Sequence, residues 1–577
     1  MNRALVLFTP KLPDRSQKWW MQFTTLIGPG AFAQAAADRG LAFEPLEDFT
    51  DPGSIEEATA FLHELATVEL PDGRRVSEAV ANEGYELWWL SYDELFYRQC
   101  VPYTQYRRLL DRLRTFGHVT LHVPPATALF RSFLEAHGIS YAIEEGPRSV
   151  PALGVWIQAL ITLLSWPILM IKRPWLLVYT GDLFDPPRDH SFRMRFIYDE
   201  LRAKKIPFAE FIRSLEPGRV MLAHAMKRRR PVIYSYALKV LIAWLADSRV
   251  STLQTPKKTG NAEYDFRLAL ALHYTRNERA HAWSIRAMRL LVRSIGIRAA
   301  IIPAASSRTF HEVLGCRTAD VPTIGILHGA ASKYYNVYDF LPEYRGKKRL
   351  ALDIYGVWSK WWRDYYIANG KAYAPEQIVV SGPMRPMSVL PAVAPRRDGP
   401  IKVLFVPGEL SVPQEVMRYI DALRKDPSIS FYLTFRPYRD QFEDWLKKND
   451  PRILEELGAA NLIFRGRRIQ EDIAECDVVV GSYSTAVLEA LLQFKPLVFF
   501  NSSKWGDYFA MREYKSGKYF AEDPSELIAR IKQGREASLD ELKDLQERFF
   551  GDPAKNGSAW MVDQAEAVIR GESRSVS

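Results

Sequence analysis

Cysteine is scarce in this chain: three in 577 residues, Cys100, Cys316 and Cys476, far apart in sequence. That spacing excludes a disulfide framework, a zinc ribbon and a Cys-x-x-Cys redox pair, and it fits a reducing, cytoplasmic compartment. Concentrated charge is also missing. The formal net charge of +9 is spread over 77 Lys and Arg residues against 68 Asp and Glu. No nucleic-acid motif organises the basic residues, so the excess suits anionic substrates or an anionic membrane surface better than DNA or RNA. The N-terminal MNRALVLFTP is a short apolar run followed by prolines and charges, which predicts a first strand and not a secretory signal. The first 150 residues hold no defensible phosphate loop; GPGAF at 28–32 is only a glycine cluster.

What is present is alternation of apolar runs and helical patterns over a length that suggests three to four domains. The most informative stretch is 476–500, CDVVVGSYSTAVLEALLQFKPLVFF. It reads as a buried strand (478–480), a small-residue turn, a helix and a second buried strand (497–500). Continuous apolar strands of this kind suit a parallel sheet covered on both faces. The turn sets Ser482, Ser484 and Thr485 at a helix N-terminus, where free N–H groups and the helix dipole favour a phosphate. Glu489 lies one turn deeper on the same face and can accept hydrogen bonds from ribose hydroxyls.

Three α/β units follow from the pattern. Residues 1–149 form an accessory unit with strands at 4–8, 118–123 and 140–143 and helices near 31–39, 55–66, 103–116 and 126–137. Residues 174–390 form a second unit, with strands near 175–180, 208–212, 298–304, 323–327, 353–358 and 377–381. A Pro- and Arg-rich linker, 391–400, opens the third, 391–577, with strands at 402–406, 430–436, 462–464, 478–480 and 497–500. The fold class is therefore α/β: two successive doubly wound, Rossmann-type domains with ligands at the carboxyl ends of their strands, plus an N-terminal α/β domain. Between the first two units lies an apolar segment, 150–173, whose stretch 150–171 has no charged residue but contains Pro151, Gln158 and Pro167. Its length is near that of a membrane span. Three readings stand: a sheet-covering core helix, a helix lying on a membrane surface and, behind these because it would put the flanking domains on opposite sides, a transmembrane span. Trp156, Trp166 and Trp175, with Lys172, Arg173 and the run 227–230, supply what a headgroup boundary uses.

The second and third units resemble the GT-B glycosyltransferase fold. More narrowly, they resemble the bacterial surface-polysaccharide transferases related to CDP-glycerol glycerophosphotransferases and capsule polysaccharide enzymes. The motifs are VPTIGILHGA (321–330), DIYGVWSKWWRDYY (353–366) with IVVSGPMRP (378–386), FRPYRD (435–440) and the 476–500 segment. The resemblance covers about 175–530. It implies a metal-independent transferase with no cofactor, a nucleotide-activated donor in the C-terminal domain, and a glycan or lipid-linked glycan acceptor in the middle domain. A nucleic acid partner is not implied; an inner-leaflet membrane surface is. One departure touches the donor: where the family usually has His-Pro, this chain has Tyr438 and Arg439, with Arg436 and Arg439 offering guanidinium groups instead.

Individual residues carry competing readings. His328, at a strand end before Gly329, is either a general base in the cleft or a strand cap. Asp182 and Asp185 follow the first strand of the middle domain and are either alternative bases or helix caps. Arg385, after Gly382 and Pro383, points into the cleft or into solvent. Gly408, with Pro407 and Glu409, permits close backbone approach to a phosphate. Asp477 reads as structural. Trp358, Trp361, Trp362, Tyr365 and Tyr366 stand at helical spacing and read as packing. No residue is assigned to a metal. The activity expected is transfer of a sugar to a surface or capsule glycan. A CDP-polyol phosphotransferase, a sugar-nucleotide 2-epimerase and a non-catalytic binding subunit remain open.

Overall fold

A computed structural model describes residues 2–122, 127–144, 151–181, 194–214, 222–223, 226, 230–246, 253–254, 256–304, 306, 308–329, 331–334, 337–391, 399–408, 411–435, 440–460, 462–464 and 467–572. Its described strands are β1 (Arg3–Leu7), β2 (Thr25–Gly28), β3 (Ala42–Pro45), β4 (Ala81–Asn82), β5 (Tyr85–Glu86), β6 (His118–His122) and β7 (Ser140–Glu144) in the N-terminal unit. The middle unit has β8 (Leu176–Gly181), β9 (Phe208–Arg213), β10 (Val232–Ile233), β11 (Ala299–Ile301), β12 (Thr323–Ile326), β13 (Ile354–Val357) and β14 (Ile378–Val380). The last has β15 (Ile401–Val406), β16 (Ile429–Thr434), β17 (Ile463–Phe464), β18 (Val478–Gly481), β19 (Leu497–Phe500) and β20 (Phe520–Ala521).

The two larger sheets are parallel and share one winding. Their orders are β10-β9-β8-β11-β12-β13-β14 and β17-β16-β15-β18-β19-β20. Numbered from its own first strand, each begins 3-2-1-4-5-6, the doubly wound order that leaves a ligand crevice where the winding reverses. The strand on one side of that crevice, VVVG (β18), and its neighbour LVFF (β19) are apolar on both faces and buried throughout. Two facing domains of this kind make the GT-B-like architecture expected from the sequence. Asp477 plays its structural part: it accepts the Lys402 N–H at 2.9 Å and ties β18 to β15.

The chain then returns. Helix Gly557–Arg570, after all the strands of the third unit, packs on β11 and β12 of the second sheet. Its start is fixed by Gly557 N–H to the Pro383 carbonyl (2.8 Å) and Ser558 Oγ to the Met384 carbonyl (2.6 Å). Gly382, at φ +81°, makes room for this crossing, since a Cβ there would stand 2.4 Å from Lys555 Cβ.

The N-terminal unit is a third parallel sheet, β3-β2-β1-β6-β7. Strands β2 and β3 escape a sequence reading because each has four residues and β2 runs straight into Pro29 and Gly30. The expected helix over 31–39 shrinks to a 3₁₀ turn (Gly30–Phe32) and Ala33–Ala37. This unit is not separate. One hydrophobic core runs from Ala4 to Phe550. Helix Ile55–Ala66 touches both large domains: Ile55 N–H donates to Ser503 O (2.7 Å), Thr59 Oγ1 to Tyr334 O (3.0 Å), and Glu56 pairs with Arg512 (3.1 Å). Helix Ala262–His273, which the pattern did not single out, packs on Ile55–Ala66 and on Thr127–Ala136.

The apolar segment is a helix, Leu153–Lys172, and its polarity is inverted. Its buried stripe is Gln158, Ala159, Thr162, Ser165 and Leu169. Thr162 Oγ1 accepts the Tyr234 N–H (2.9 Å), Ser165 Oγ accepts the Val232 N–H (3.3 Å), and Trp166 Nε1 donates to Ser294 Oγ (2.7 Å). Leu153, Trp156, Leu160, Leu163, Leu164, Ile168 and Ile171 face outward. The helix covers β10 through this polar stripe, with Val155, Ile157 and Ile161 packed beside it, and leaves a second, apolar face outward. It is the one helix among the described residues long and apolar enough to span a bilayer, and by length and composition alone. Of the basic run expected to flank it, Arg230 is engaged by the fully buried Glu210 at 2.6 Å; Lys227, Arg228 and Arg229 lie outside the described residues.

Candidate active site in the interdomain cleft

Four of the residues singled out in sequence meet in one cavity of about 380 Å³. His328 and Arg385 come from the carboxyl side of the second sheet, Thr485 and Glu489 from that of the third. Arg195, Phe196, Trp358, Met384, Met387 and Phe550 complete the lining.

His328 follows β12. The strand end is held because Leu327 N–H donates to the Gly356 carbonyl (2.8 Å) and Trp358 Nε1 donates to the Leu327 carbonyl (2.7 Å). The residue is exposed, with Nδ1 3.0 Å from Met384 Sδ. A thioether sulfur only accepts, so this contact places the proton on Nδ1 and the lone pair on Nε2. Met384 is itself fixed by the returning C-terminal helix. The base-like nitrogen is therefore oriented by a chain segment more than 200 residues downstream.

Arg385 is exposed, with its guanidinium over the Phe196 ring at 5.7 Å. Across the cleft, the Glu489 carboxyl is mostly withdrawn from water. Burial pushes its pKa up, while the Gln470 amide, which donates to Oε2, and the Arg385 charge pull it back. Gln470 is in turn held by Gln493 Nε2 donating to its backbone carbonyl at 2.7 Å. The domains approach closely here: a Cβ on Gly329 would lie 3.8 Å from Thr485 Cγ2, an ordinary contact.

The other predicted residues are placed differently. Ser482 is buried, its Oγ 3.1 Å from Ser411 Oγ. Ser484 is the N-cap, accepting the Ala486 N–H at 3.3 Å. Gly408 has φ +81°, and a Cβ there would stand 2.7 Å from the Tyr483 ring, which stacks on Trp505 at 3.8 Å. These three residues join the loops after β15 and β18 and do not line the cavity. The helix they cap is one α-turn, Thr485–Leu488, continued as 3₁₀ over Glu489–Gln493 and closed by Phe494 at φ 49°. So short a helix sums few peptide dipoles, and side chains carry more of the charge at this site than the sequence suggested. Asp182, Asp185, Glu409, Arg436 and Arg439 lie outside the described residues. Among the described residues no group of three or more His, Cys, Asp or Glu is placed to hold a metal ion.

The aromatic run packs, as its spacing indicated: Trp362 and Tyr366 are buried, and Trp362 Nε1 donates to the Phe549 carbonyl at 3.0 Å. Trp358 does both jobs, with its N–H on the strand and its ring on the cavity wall, stacked on Phe550 at 5.8 Å. Phe196, Gln470 and Phe550 were missed because each reaches the site through tertiary packing and belongs to no local motif, and Met384, inside the 378–386 motif, because its contact with His328 is made only in the fold.

No family model matches the chain, and no curated protein matches it. Solved structures similar to it include a UDP co-structure of MnaA from S. aureus (10% identity, TM-score 0.38, covering 69% of this chain and 97% of that one). Also similar are CalG4, the calicheamicin glycosyltransferase (12%, 0.39, 69% and 99%), and a UDP-GlcNAc 2-epimerase from Neisseria meningitidis bound to UDP-GlcNAc (11%, 0.35, 68% and 99%). At these scores the likeness adds no functional argument. The class is defined by the winding and the cleft: a GT-B-like pair of doubly wound domains with a histidine, an arginine and a buried glutamate facing one another across the interface.

Proposed function

We propose that the protein is a glycosyltransferase that moves a sugar from a nucleotide-activated donor to a surface or capsule glycan acceptor. The observation that carries this reading is the convergence of His328, Arg385, Thr485 and Glu489, from two domains, on one cavity. Glu489, held by Gln470, accepts the ribose hydroxyls. Thr485 and Arg385 take the donor phosphates, the guanidinium as a paired donor to phosphate oxygens. His328 Nε2 removes the acceptor's hydroxyl proton as that oxygen bonds to the sugar's anomeric carbon. The bond from that carbon to the phosphate oxygen breaks, and its electron pair leaves on the phosphate of the nucleotide, beside Arg385. Arg195 and Arg385 provide fixed positive charge where a metal would otherwise serve, so the reaction is proposed to need neither metal nor cofactor.

The inverted helix supports a place at the cytoplasmic membrane face. An apolar outer stripe bearing Trp156, ending in Lys172 and Arg173, matches an interfacial helix. Trp244 of helix Ser235–Leu245 extends the stripe, its ring 6.0 Å from Trp156.

The test is product analysis with CMP-, CDP-, UDP- and GDP-activated sugars, with and without a chelator. Transfer or slow donor hydrolysis with one nucleotide, unchanged by chelator and lost in Arg385→Ala, is expected. A C2 epimer of the donor would replace the transferase by an epimerase, and transfer of a polyol phosphate would move the reading to a phosphotransferase. Binding without turnover would make the protein a non-catalytic subunit.

A further inference from the structure

A second cavity, larger than the cleft at about 510 Å³, lies between the N-terminal unit and the middle domain. It is built on the ligand side of the second sheet. Arg213 is the last residue of β9, and Arg308 and His311 follow β11. In a doubly wound sheet this is the edge where ligands bind, and nothing in the transfer chemistry above uses it.

Its charged lining is five basic side chains against two carboxylates, Asp93 and Glu94. Three of the five are engaged. Lys239 is paired at 3.0 Å with the fully buried Glu312, Arg308 lies 3.5 Å from Asp93, and Arg98 lies 3.9 Å from Glu94. Arg213 and Arg276 have no carboxylate within ion-pair distance among the described residues. Each also has a buried Nε–H without an acceptor. Arg213 rests on the Tyr236 ring at 5.4 Å. Burial lowers the pKa of Arg276, and Tyr274 and the more distant Glu94 partly offset that. A guanidinium partly withdrawn from water without a paired carboxylate is costly unless a ligand supplies the anion.

A hydrogen-bonded chain ends in the same cavity. Asn277 Nδ2 donates to Ser91 Oγ (3.0 Å), Ser91 Oγ lies 2.9 Å from His281 Nε2, and His281 Nδ1 lies 2.9 Å from His311 Nε2. Both imidazoles are kept neutral, chiefly by burial and then by the Lys239 charge. The outer end of this chain, His311 Nδ1, is buried and has no partner. The cavity thus presents two buried guanidinium N–H groups without acceptors, beside one buried imidazole nitrogen without a partner.

The cavity also borders the apolar surface. Tyr236, Lys239, Val240 and Ala243 of helix Ser235–Leu245 form its wall, and the same helix exposes Trp244 and Leu245 beside the inverted helix. Those two helices and Glu278–Ile295, which packs on both, carry Lys172, Lys239, Arg279, Arg286, Arg289 and Arg293 against the single acid Glu278.

We propose that this cavity binds the terminal phosphate or diphosphate of a ligand, with the Arg213 and Arg276 guanidinium groups as its donors. Only the further step, that this ligand is the acceptor of the transfer, rests on the transferase reading. The anion site itself does not.

The experiment is calorimetric titration of the full chain with inorganic pyrophosphate. The wild type should bind, and Arg385→Ala, which removes the cleft guanidinium assigned to the donor phosphates, should retain a pyrophosphate site. Arg276→Gln should bind more weakly, and Arg213→Gln/Arg276→Gln should lose roughly tenfold or more in affinity, as expected for loss of charged hydrogen bonds. Absence of pyrophosphate binding in the wild type would overturn the proposal. So would loss in Arg385→Ala with retention in the double variant, which would place the anion in the cleft. If the double variant does not fold, the rise in melting temperature with pyrophosphate in Arg276→Gln against wild type decides; an equal rise overturns the proposal. Phosphatidylcholine vesicles carrying equal mole fractions of phosphatidic acid or phosphatidylglycerol separate the sources. A preference for the terminal phosphate of phosphatidic acid, lost in the double variant, upholds the site with a lipid ligand. Equal binding to both vesicles, with pyrophosphate binding intact, upholds it with a soluble one.

Discussion

Replacing Leu160, Leu163 and Leu164 by Gln tests the inverted helix. The three side chains are 56%, 57% and 64% exposed. Full burial of a leucine is worth about 1.5–3 kcal/mol, so the exposed share of each is worth about 1 kcal/mol or slightly more on entering a membrane interface. The triple variant should lose about 3–4 kcal/mol of membrane affinity, a factor of ~10²–10³. Gln is nearly as good a helix former as Leu, and the positions touch little of the fold, so stability should change by less than about 0.5 kcal/mol per site. The assay is flotation with anionic vesicles at low and high salt, with a parallel thermal melt. High salt should weaken wild-type binding without abolishing it, because basic residues add only about 1 kcal/mol each near anionic lipid. A wild type that does not float, or a variant that floats equally while its melting temperature collapses, would refute the reasoning.

Two further outcomes follow from single side chains. His328→Ala should lower turnover ~10²–10⁴-fold, the usual share of a positioned general base, with an unchanged melt because the residue is exposed; near-normal turnover in a kinetic assay would remove His328 from the chemistry. Asp339 is fully buried, its carboxyl pKa pushed well up by burial and only partly offset by the Tyr366 hydroxyl. The folded state therefore holds this proton where the unfolded chain releases it, and the group costs stability progressively as pH rises above the ordinary carboxylate range. Asp339→Asn should be the more stable protein at neutral pH, with the gain shrinking toward acid; denaturant melts across pH that show a constant or opposite difference would contradict this.

Much of the site was legible because the informative signals are local. A strand of VVVG, small polar residues and a helix with Glu489 on the following turn put that carboxyl beside Thr485 through winding alone, and His328 before Gly329 is a strand end by the same logic. The roles of Ser482 and Ser484 were not legible, since a serine that caps or bridges loops has the same local pattern as one that binds phosphate. The supports of the site were hidden for another reason. Met384 under His328 is fixed by a helix that crosses between domains, and Gln470 reaches Glu489 from another turn of the fold. The helix Leu153–Lys172 shows the limit of composition most clearly. Apolar content was evident, but only the direction of its Thr162 and Ser165 hydroxyls, toward β10 and away from solvent, shows which face is covered and which is left outward.

The central claim is that the interdomain cleft is a nucleotide site gripped by Glu489. It is tested most directly by titrating CMP, CDP, UDP and GDP into wild type and Glu489→Ala by calorimetry. The account predicts one preferred nucleotide and a loss of about 1–3 kcal/mol of binding in the variant, the cost of removing charged hydrogen bonds, with the fold intact. Wild-type protein that binds none of the four, or a variant that binds the preferred nucleotide unchanged, would contradict it.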